Sequence, residues 1–393
     1  MVEWKKIEDL GSYFGGLTGK TKDDFVDGNA KFITYMNVFT NPALDISTTG
    51  VVRISQGEKQ NKIQRGDILF TGSSETPEEA GMSCVVTEDL KEEVYMNSFC
   101  FGIRLDHPEQ YDLGYLKHIL RSNSVRKSIS KAASGVTRFN ISKSRFGRIL
   151  IPIPSLSEQT RIVDILDSFT SSIENLKQQI AERRKQYEYY RDQLLEIKRK
   201  EGVEMKSIGE IGEFVRGSGI QKTDFVADGY GCIHYGQIHT KYGLSATETI
   251  SKIDKSLYDR CKKATKGDVI LATTSEDAEG CAKPVAWLGN EVIAIGSDTL
   301  IYHHNQNGKY MAHQFLTHRF MLFKIKHAIG AKVVRIPAEK IAKFKVPLPS
   351  IEEQNRIVTI LDTFETSIAN LEAQLELREK QYEYYRNKLL TFE

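Results

Sequence analysis

The sequence predicts a mixed α/β fold, α+β within each domain. Two divergent domains are joined by two long repeated helices that form an antiparallel coiled coil, with pseudo-two-fold symmetry. Three observations predict it. Segments 151–195 and 346–390 are copies at an offset of 195 residues, with 27 of 45 positions identical. Each copy carries apolar residues in strict 4-3 spacing, the seam of a coiled coil. What lies before each copy alternates short β-like runs with glycine-rich turns.

Taken in order, the first domain covers 1–156. Its β-like runs include KFITYMNV (31–38) and DILFTG (67–72), and one helical stretch closes it near 112–132. The central helix covers 157–200. Its seam is Ile162, Leu166, Phe169, Ile173, Leu176, Ile180, Arg183, Tyr187, Tyr190, Leu194 and Ile197. The second domain covers 201–350, with DVILATT (268–274), EVIAIGS (291–297) and a helical stretch near 309–329. The C-terminal helix covers 351–393, with Ile357, Leu361, Phe364, Ile368, Leu371, Leu375, Arg378, Tyr382, Tyr385, Leu389 and Phe392 on its seam. Pro154-Ser155 and Pro349-Ser350 stop the extended segment just before each helix. Some 40 residues at about 1.5 Å each give a rod of roughly 60 Å. Antiparallel pairing is expected because it relates the halves by a two-fold axis. Arg183 and Arg378 interrupt the seam at matching places, either covering apolar surface with their stems or pinning the register. The repeated QYEYYR block adds an off-seam aromatic to each rod.

Weaker echoes join the domains themselves. RGDILFTGSSE (65–75) matches KGDVILATTSE (266–276) at an offset of 201, and GVTRFNI (135–141) faces GAKVVRI (330–336) at 195.

Composition sets bounds on function. With 393 residues, 40% hydrophobic and 27% charged, the chain has ordinary globular composition, which excludes collagen-like and disordered classes. It has no apolar run of membrane-spanning length, and MVEWKKIEDL lacks a signal-peptide core, so a cytoplasmic chain with no membrane partner is expected. Five cysteines without CxxC spacing read as reduced, buried thiols. Catalytic motifs are missing. GGLTGKT (15–21) is one residue short of a phosphate loop, and NPAL (41–44) shares only two letters with the NPP[YF] motif of adenine methyltransferases. Cys232, His234 and His239 match no zinc spacing, so no metal is expected.

The net charge of +2 hides a pattern. Between Asp112 and Glu158 there is no acid, while Lys117, Arg121, Arg126, Lys127, Lys131, Arg138, Lys143, Arg145 and Arg148 fall there. Between Asp298 and Glu339 there is again none, with Lys309, Arg319, Lys324, Lys326, Lys332, Arg335 and five histidines. A one-sign stretch at the matching place in both halves points to a polyanion. Two separated heads suit one DNA duplex, and because they differ the site should be two short sequences around an unread gap.

The pattern resembles the specificity subunit of type I restriction–modification systems. The resemblance rests on IPIPSLSEQ…R (151–161) and VPLPSIEEQ…R (346–356), on GSSETPEEAG (72–81) and TTSEDAEG (273–280), and on GVTRFN (135–140). It implies that the divergent domains are target recognition domains reading a bipartite, asymmetric target in double-stranded DNA. It implies that the helices are spacers, and that the chain is non-catalytic, with no cofactor of its own. It also implies partners: two methyltransferase subunits that use S-adenosylmethionine to methylate adenine at N6, and restriction subunits that need ATP and Mg. By residue type, the candidate DNA contacts are Lys20, Lys22, Ser73, Ser74, Arg138, Asn140 and Lys143 in the first domain. In the second they are Arg216, Gln221, Lys222, Tyr235, Gln237, Ser275, Lys332 and Arg335. A self-contained modifying enzyme and a scaffold that bridges proteins are the competing readings.

Overall fold

The structure, a computed structural model, describes residues 2–196, 203–330 and 332–392. Ile197 lies outside them. The chain forms two compact units, Met1–Leu176 with Gln374–Glu393, and Lys177–Ala373. Each unit therefore holds one domain, the start of the helix that follows it and the end of the other helix.

The first unit contains β1 (Glu3–Lys6), β2 (Gly11–Gly15), β3 (Ala30–Ile33), α1 (Tyr35–Thr40), β4 (Thr49–Val52), β5 (Ile68–Thr71), β6 (Ser73–Ser74), β7 (Ser83–Val85), β8 (Val94–Met96) and β9 (Cys100–Leu105). It continues with α2 (Leu113–Ile119), α3 (Asn123–Ala132), β10 (Ala133–Ser134), β11 (Phe139–Ile141), α4 (Lys143–Gly147) and β12 (Leu150–Ile153), and leads into α5 (Leu156–Leu195). The main sheet has the order β2-β9-β5-β7, beside a smaller β4-β3-β8 sheet and the ribbon β10-β11-β6.

The second domain repeats this plan: β13 (Glu204–Ser207), α6 (Ile208–Ile211), β14 (Gly212–Arg216), β15 (Phe225–Val226), β16 (Tyr230–Ile233), α7 (Tyr235–Thr240), β17 (Ser245–Ala246), β18 (Ser251–Ile253), α8 (Lys255–Arg260) and β19 (Lys263–Ala264). After these come β20 (Val269–Ala272), β21 (Thr274–Ser275), β22 (Lys283–Trp287), β23 (Ile293–Ile295), β24 (Thr299–His304), α9 (Gly308–Gln314), α10 (His318–His327), β25 (Val334–Arg335), α11 (Ala338–Ile341) and β26 (Lys345–Leu348), then α12 (Ile351–Leu389). Two five-stranded sheets, β14-β24-β20-β22-β17 and β15-β18-β16-β23-β19, replace the smaller pair of the first unit.

Two differences from the sequence reading have local causes. KFITYMNV is a strand only to Ile33; the Thr34 side chain then accepts from Asn37 N and starts a helix. Each closing helical stretch is two helices, because Ser122 and Thr317 act as N-caps in mid-run. All five cysteines are buried free thiols, as expected.

The copied lead-in makes the same contacts in both units. Gln159 is buried, accepts from Asp112 N at 2.9 Å and donates to Pro154 O at 2.9 Å. Gln354 does the same with Asn307 N at 3.0 Å and Pro349 O at 2.9 Å. Tyr115 donates to Pro152 O and Tyr310 to Pro347 O, both at 2.8 Å. The first strand of each domain pairs antiparallel with its last, Glu3 with Ile153 and Glu204 with Leu348. Chain entry and helix start are thus tied together.

The helices pair antiparallel inside each unit. In the first, Phe169 stacks on Tyr385 at 5.4 Å and meets Tyr382 at 6.5 Å, and Leu390 joins Ile162 and Leu166 in one core. In the second, Tyr190 stacks on Phe364 at 5.5 Å, and Arg184 pairs with Glu372 at 2.6 Å. Seam residues Ile162, Leu166, Ile173, Ile180, Ile357 and Leu361 are buried, and Leu176, Tyr187, Leu194, Ile368, Leu371, Leu375, Tyr382 and Leu389 are half-buried. Part of the seam serves the domains: Ile162, Leu166, Ile357 and Leu361 belong to domain cores, where each full burial contributes roughly 1.5–3 kcal/mol. Arg183 and Arg378 each donate to the glutamine three residues on, and Arg378 also lies over the Phe169 ring.

Candidate nucleic-acid interface

In the first unit, β6 carries Ser73 and Ser74 against β11, in the register Asn140 to Ser73 and Phe139 to Ser74. The hairpin from β10 to β11 turns at Gly135, where φ is 154° and an added Cβ would stand only 1.9 Å from Arg138 O, so no side chain fits. Arg138 is exposed beyond that turn. Its Nε donates to Ser73 Oγ at 3.2 Å, and its guanidinium lies 5.4 Å over the Phe99 ring. The Tyr35 hydroxyl at the start of α1 donates to Ser73 O at 2.7 Å. Asn140 is exposed on the same ribbon, and Lys143 lies 5.7 Å over Phe101. Ser74 donates to Glu79 at 3.2 Å.

Lys20 and Lys22 lie on a separate loop. The Lys20 ammonium is held by Glu58 at 2.6 Å and by Arg53 O. Its bond, with those from Ser55 N and Gln60, holds the Glu58 carboxyl down at about 2. Lys22 is exposed at the start of a 3-10 turn capped by Asp24.

In the second unit, five of the eight candidates line one cleft of about 840 Å³: Lys222, Tyr235, Gln237, Ser275 and Lys332. Two are committed within the fold. The Gln237 amide donates to Ser251 Oγ at 2.7 Å and accepts from His234 N at 3.1 Å. Arg335, on β25 opposite Thr274, reaches Asp298 at 3.4 Å. Gln221 caps the turn that presents Lys222. Arg216 ends β14 and is exposed. His239, considered in the sequence only as a metal ligand, bonds Thr274 O at 2.9 Å from the cleft wall.

The basic stretches need a correction, because many of their cations point inward. Arg121 donates to five carbonyls, those of Ser83, Val38, Phe39, Thr40 and Asn41. Arg126 holds the carbonyls of Glu78, Ala80 and Gly81. Burial pushes both guanidinium groups down to about 10. Lys117 pairs with Asp167 at 2.8 Å and Lys309 with Asp362. Lys324 is buried against Glu279 O and Cys281 O, and Arg319 donates to Lys345 O at 2.5 Å. Exposed cations remain at Lys127, Lys131, Arg138, Lys143, Arg145 and Arg148 in the first unit, and at Lys326, Lys332 and Arg335 in the second. Sequence spacing does not separate an arginine that holds carbonyls from one that meets solvent.

The two ribbons correspond position by position. Gly72 N bonds Phe99 O at 2.8 Å, as Thr273 N bonds Asp298 O at 2.9 Å. The Ser73–Asn140 pair matches Thr274–Arg335, and Gly330, with φ 115°, turns the second ribbon where Gly135 turns the first. The sequence reading missed Tyr35 and Phe99, and considered His239 only as a metal ligand. For Tyr35 and His239 the signal was an echo at an offset of 200, YMNVFT (35–40) against YGQIHT (235–240).

Among solved structures, one titled for complex assembly and conformational transition of the type I restriction–modification system aligns with 99% of this chain and 97% of its own, at 16% identity and TM-score 0.62. The S subunit of a type I restriction–modification system from M. genitalium aligns over 100% and 97%, at 14% identity and TM-score 0.55. These show the fold. The specificity subunit of the Escherichia coli type I restriction enzyme EcoR124I/EcoR124II is 33% identical over 267 residues, 63% of this chain. That alignment spans 65% of the relative, just under two thirds of its length. The family described as the type I restriction modification DNA specificity domain matches twice, over residues 1–183 and 200–378. Both halves carry that domain, and the chain belongs to the type I restriction–modification DNA specificity family.

Proposed function

We propose that this chain is the DNA-reading subunit of a type I restriction–modification assembly, and that each of its two domains reads one half of a bipartite, asymmetric site. One observation carries the reading. The same ribbon, helix start and exposed cations occur in both domains, while the exposed side chains on them differ. A shared frame with different side chains is what two readers of two half-sites require. The surface cations supply the sequence-independent part of binding, which weakens steeply with salt.

The paired helices act as the spacer and as the seat for two methyltransferase subunits. Tyr189 and Tyr384, exposed at matching places of the copied QYEYYR block, suit such a contact. S-adenosylmethionine, bound by those partners, supplies the methyl group for adenine N6. Restriction subunits using ATP and Mg act on the same complex. This chain contributes recognition and no catalytic step.

The test is a genome-wide map of N6-methyladenine in cells with and without this chain, its methyltransferase partner present in both. A two-part motif with an unread gap should vanish with the chain. A map that does not change would sink the proposal.

A further inference from the structure

We infer that Arg138 reads a guanine in the half-site of the first domain, and that the second domain reads no guanine at the matching place. This rests on the DNA-reading function proposed above. Arg138 is held as a reader rather than as a loose charge. Its Nε is engaged by Ser73 Oγ at 3.2 Å, and Phe99, itself 57% exposed, underlies the guanidinium plane. Among the described residues its two terminal nitrogens have no partner, so they form a free, oriented fork. Such a fork matches the O6 and N7 acceptors of guanine in the major groove.

The internal repeat separates this role from phosphate binding. Phosphate contacts carry no sequence information, so both domains need them. Lys22 and Lys222, Tyr35 and Tyr235, and Ser74 and Ser275 are identical at matching places. The Arg138 place differs entirely. Counting from the glycine turns, Val333 stands there, 54% exposed, and Asp298 replaces Phe99. The neighbouring Arg335 is drawn to Asp298 at 3.4 Å. The second ribbon thus offers an apolar side chain where the first offers a fork. That is the pattern of a base-reading position, where two half-sites must be told apart.

The experiment is the N6-methyladenine map of cells carrying the full chain with its methyltransferase partner, as wild type, Arg138→Ala and Arg138→Gln. The wild-type motif should contain one G·C pair in one half that becomes degenerate in Arg138→Ala. Arg138→Gln should lose the guanine preference as well, and the other half and the gap should stay unchanged. A second measurement needs no variant. With 7-deazaguanine at that position, wild-type complex should bind an oligonucleotide duplex roughly tenfold to a hundredfold more weakly, the range for losing a bidentate base contact. An unchanged motif in Arg138→Ala overturns the assignment. So does a uniform drop in methylation over an unchanged motif, which marks a phosphate contact, and so does indifference of the wild type to 7-deazaguanine. A map that the wild-type chain does not influence overturns the proposed function itself.

Discussion

One glutamine at the start of each long helix pairs polar groups that would otherwise be buried alone. Gln159, 1% exposed, takes the Asp112 N–H and returns a donor to Pro154 O. In Gln159→Ala the Asp112 amide is left without that partner, at a cost of about 1–3 kcal/mol. Gln354→Ala should cost the same in the second unit. Thermal unfolding of the full chain measures both, and variants within about 0.5 kcal/mol of the parent would remove the clamp from the account. Buried histidines set the acid limit. Burial, then nearby Lys309 and Arg191, push His313 down to about 3, with the Tyr187 hydroxyl at 3.3 Å and Glu365 at 4.0 Å facing it. Burial likewise lowers His304 to about 4. Desolvation raises the Asp167 carboxyl, but bonds from His118 and Lys117 outweigh it and hold it at about 2. A depressed histidine contributes full stability above its unfolded value of about 6.5 and loses it as pH falls. At pH 5 His313 alone should cost about 2 kcal/mol, whereas Asp167 gives way only below about pH 4. The thermal midpoint should therefore drop between pH 7.5 and 5, and His313→Gln should flatten that drop. A parent midpoint that does not move over this range would refute the assignment.

At the scale of elements, the copied helices were legible because a 4-3 seam is a strong periodic signal. Their dual use was not. Ile162 and Leu166 look like seam residues in the sequence, yet they share a core with Tyr115, Phe146 and Leu390. An apolar residue carries no mark of which apolar partner it meets. The recognition ribbons were legible only in outline. GVTRFN and its echo located both hairpins, but nothing in the sequence said that Gln237 would be consumed by Ser251 and His234. If the helices set the gap, its length follows from their rise. Deleting residues 173–179 and 368–374 removes one heptad from each helix and keeps the seam in phase. The rods shorten by about 10 Å, the length of about three base pairs. The methylated motif should keep both halves and lose about one to three base pairs of gap. An unchanged gap in a folded variant would contradict the spacer role.

For the molecule as a whole, the alternation of two domains and two helices could be read directly from the repeats. The composition of each compact unit could not, because antiparallel pairing brings residues from far along the chain into a domain already spelled out. The last turns of α12 and the residues just after it are part of the first domain's interior: Leu390 is 2% exposed there, with Tyr382, Leu389 and Phe392 packed beside it. This has a consequence for the order of events during synthesis. The first domain is translated first, yet its core stays open until the final turns of α12 leave the ribosome. At about 5–20 residues per second, the delay after α5 is made is roughly ten to forty seconds. The second domain can close its core about Leu195 as soon as α12 begins to appear. The half that is made last is therefore the half that can be finished first.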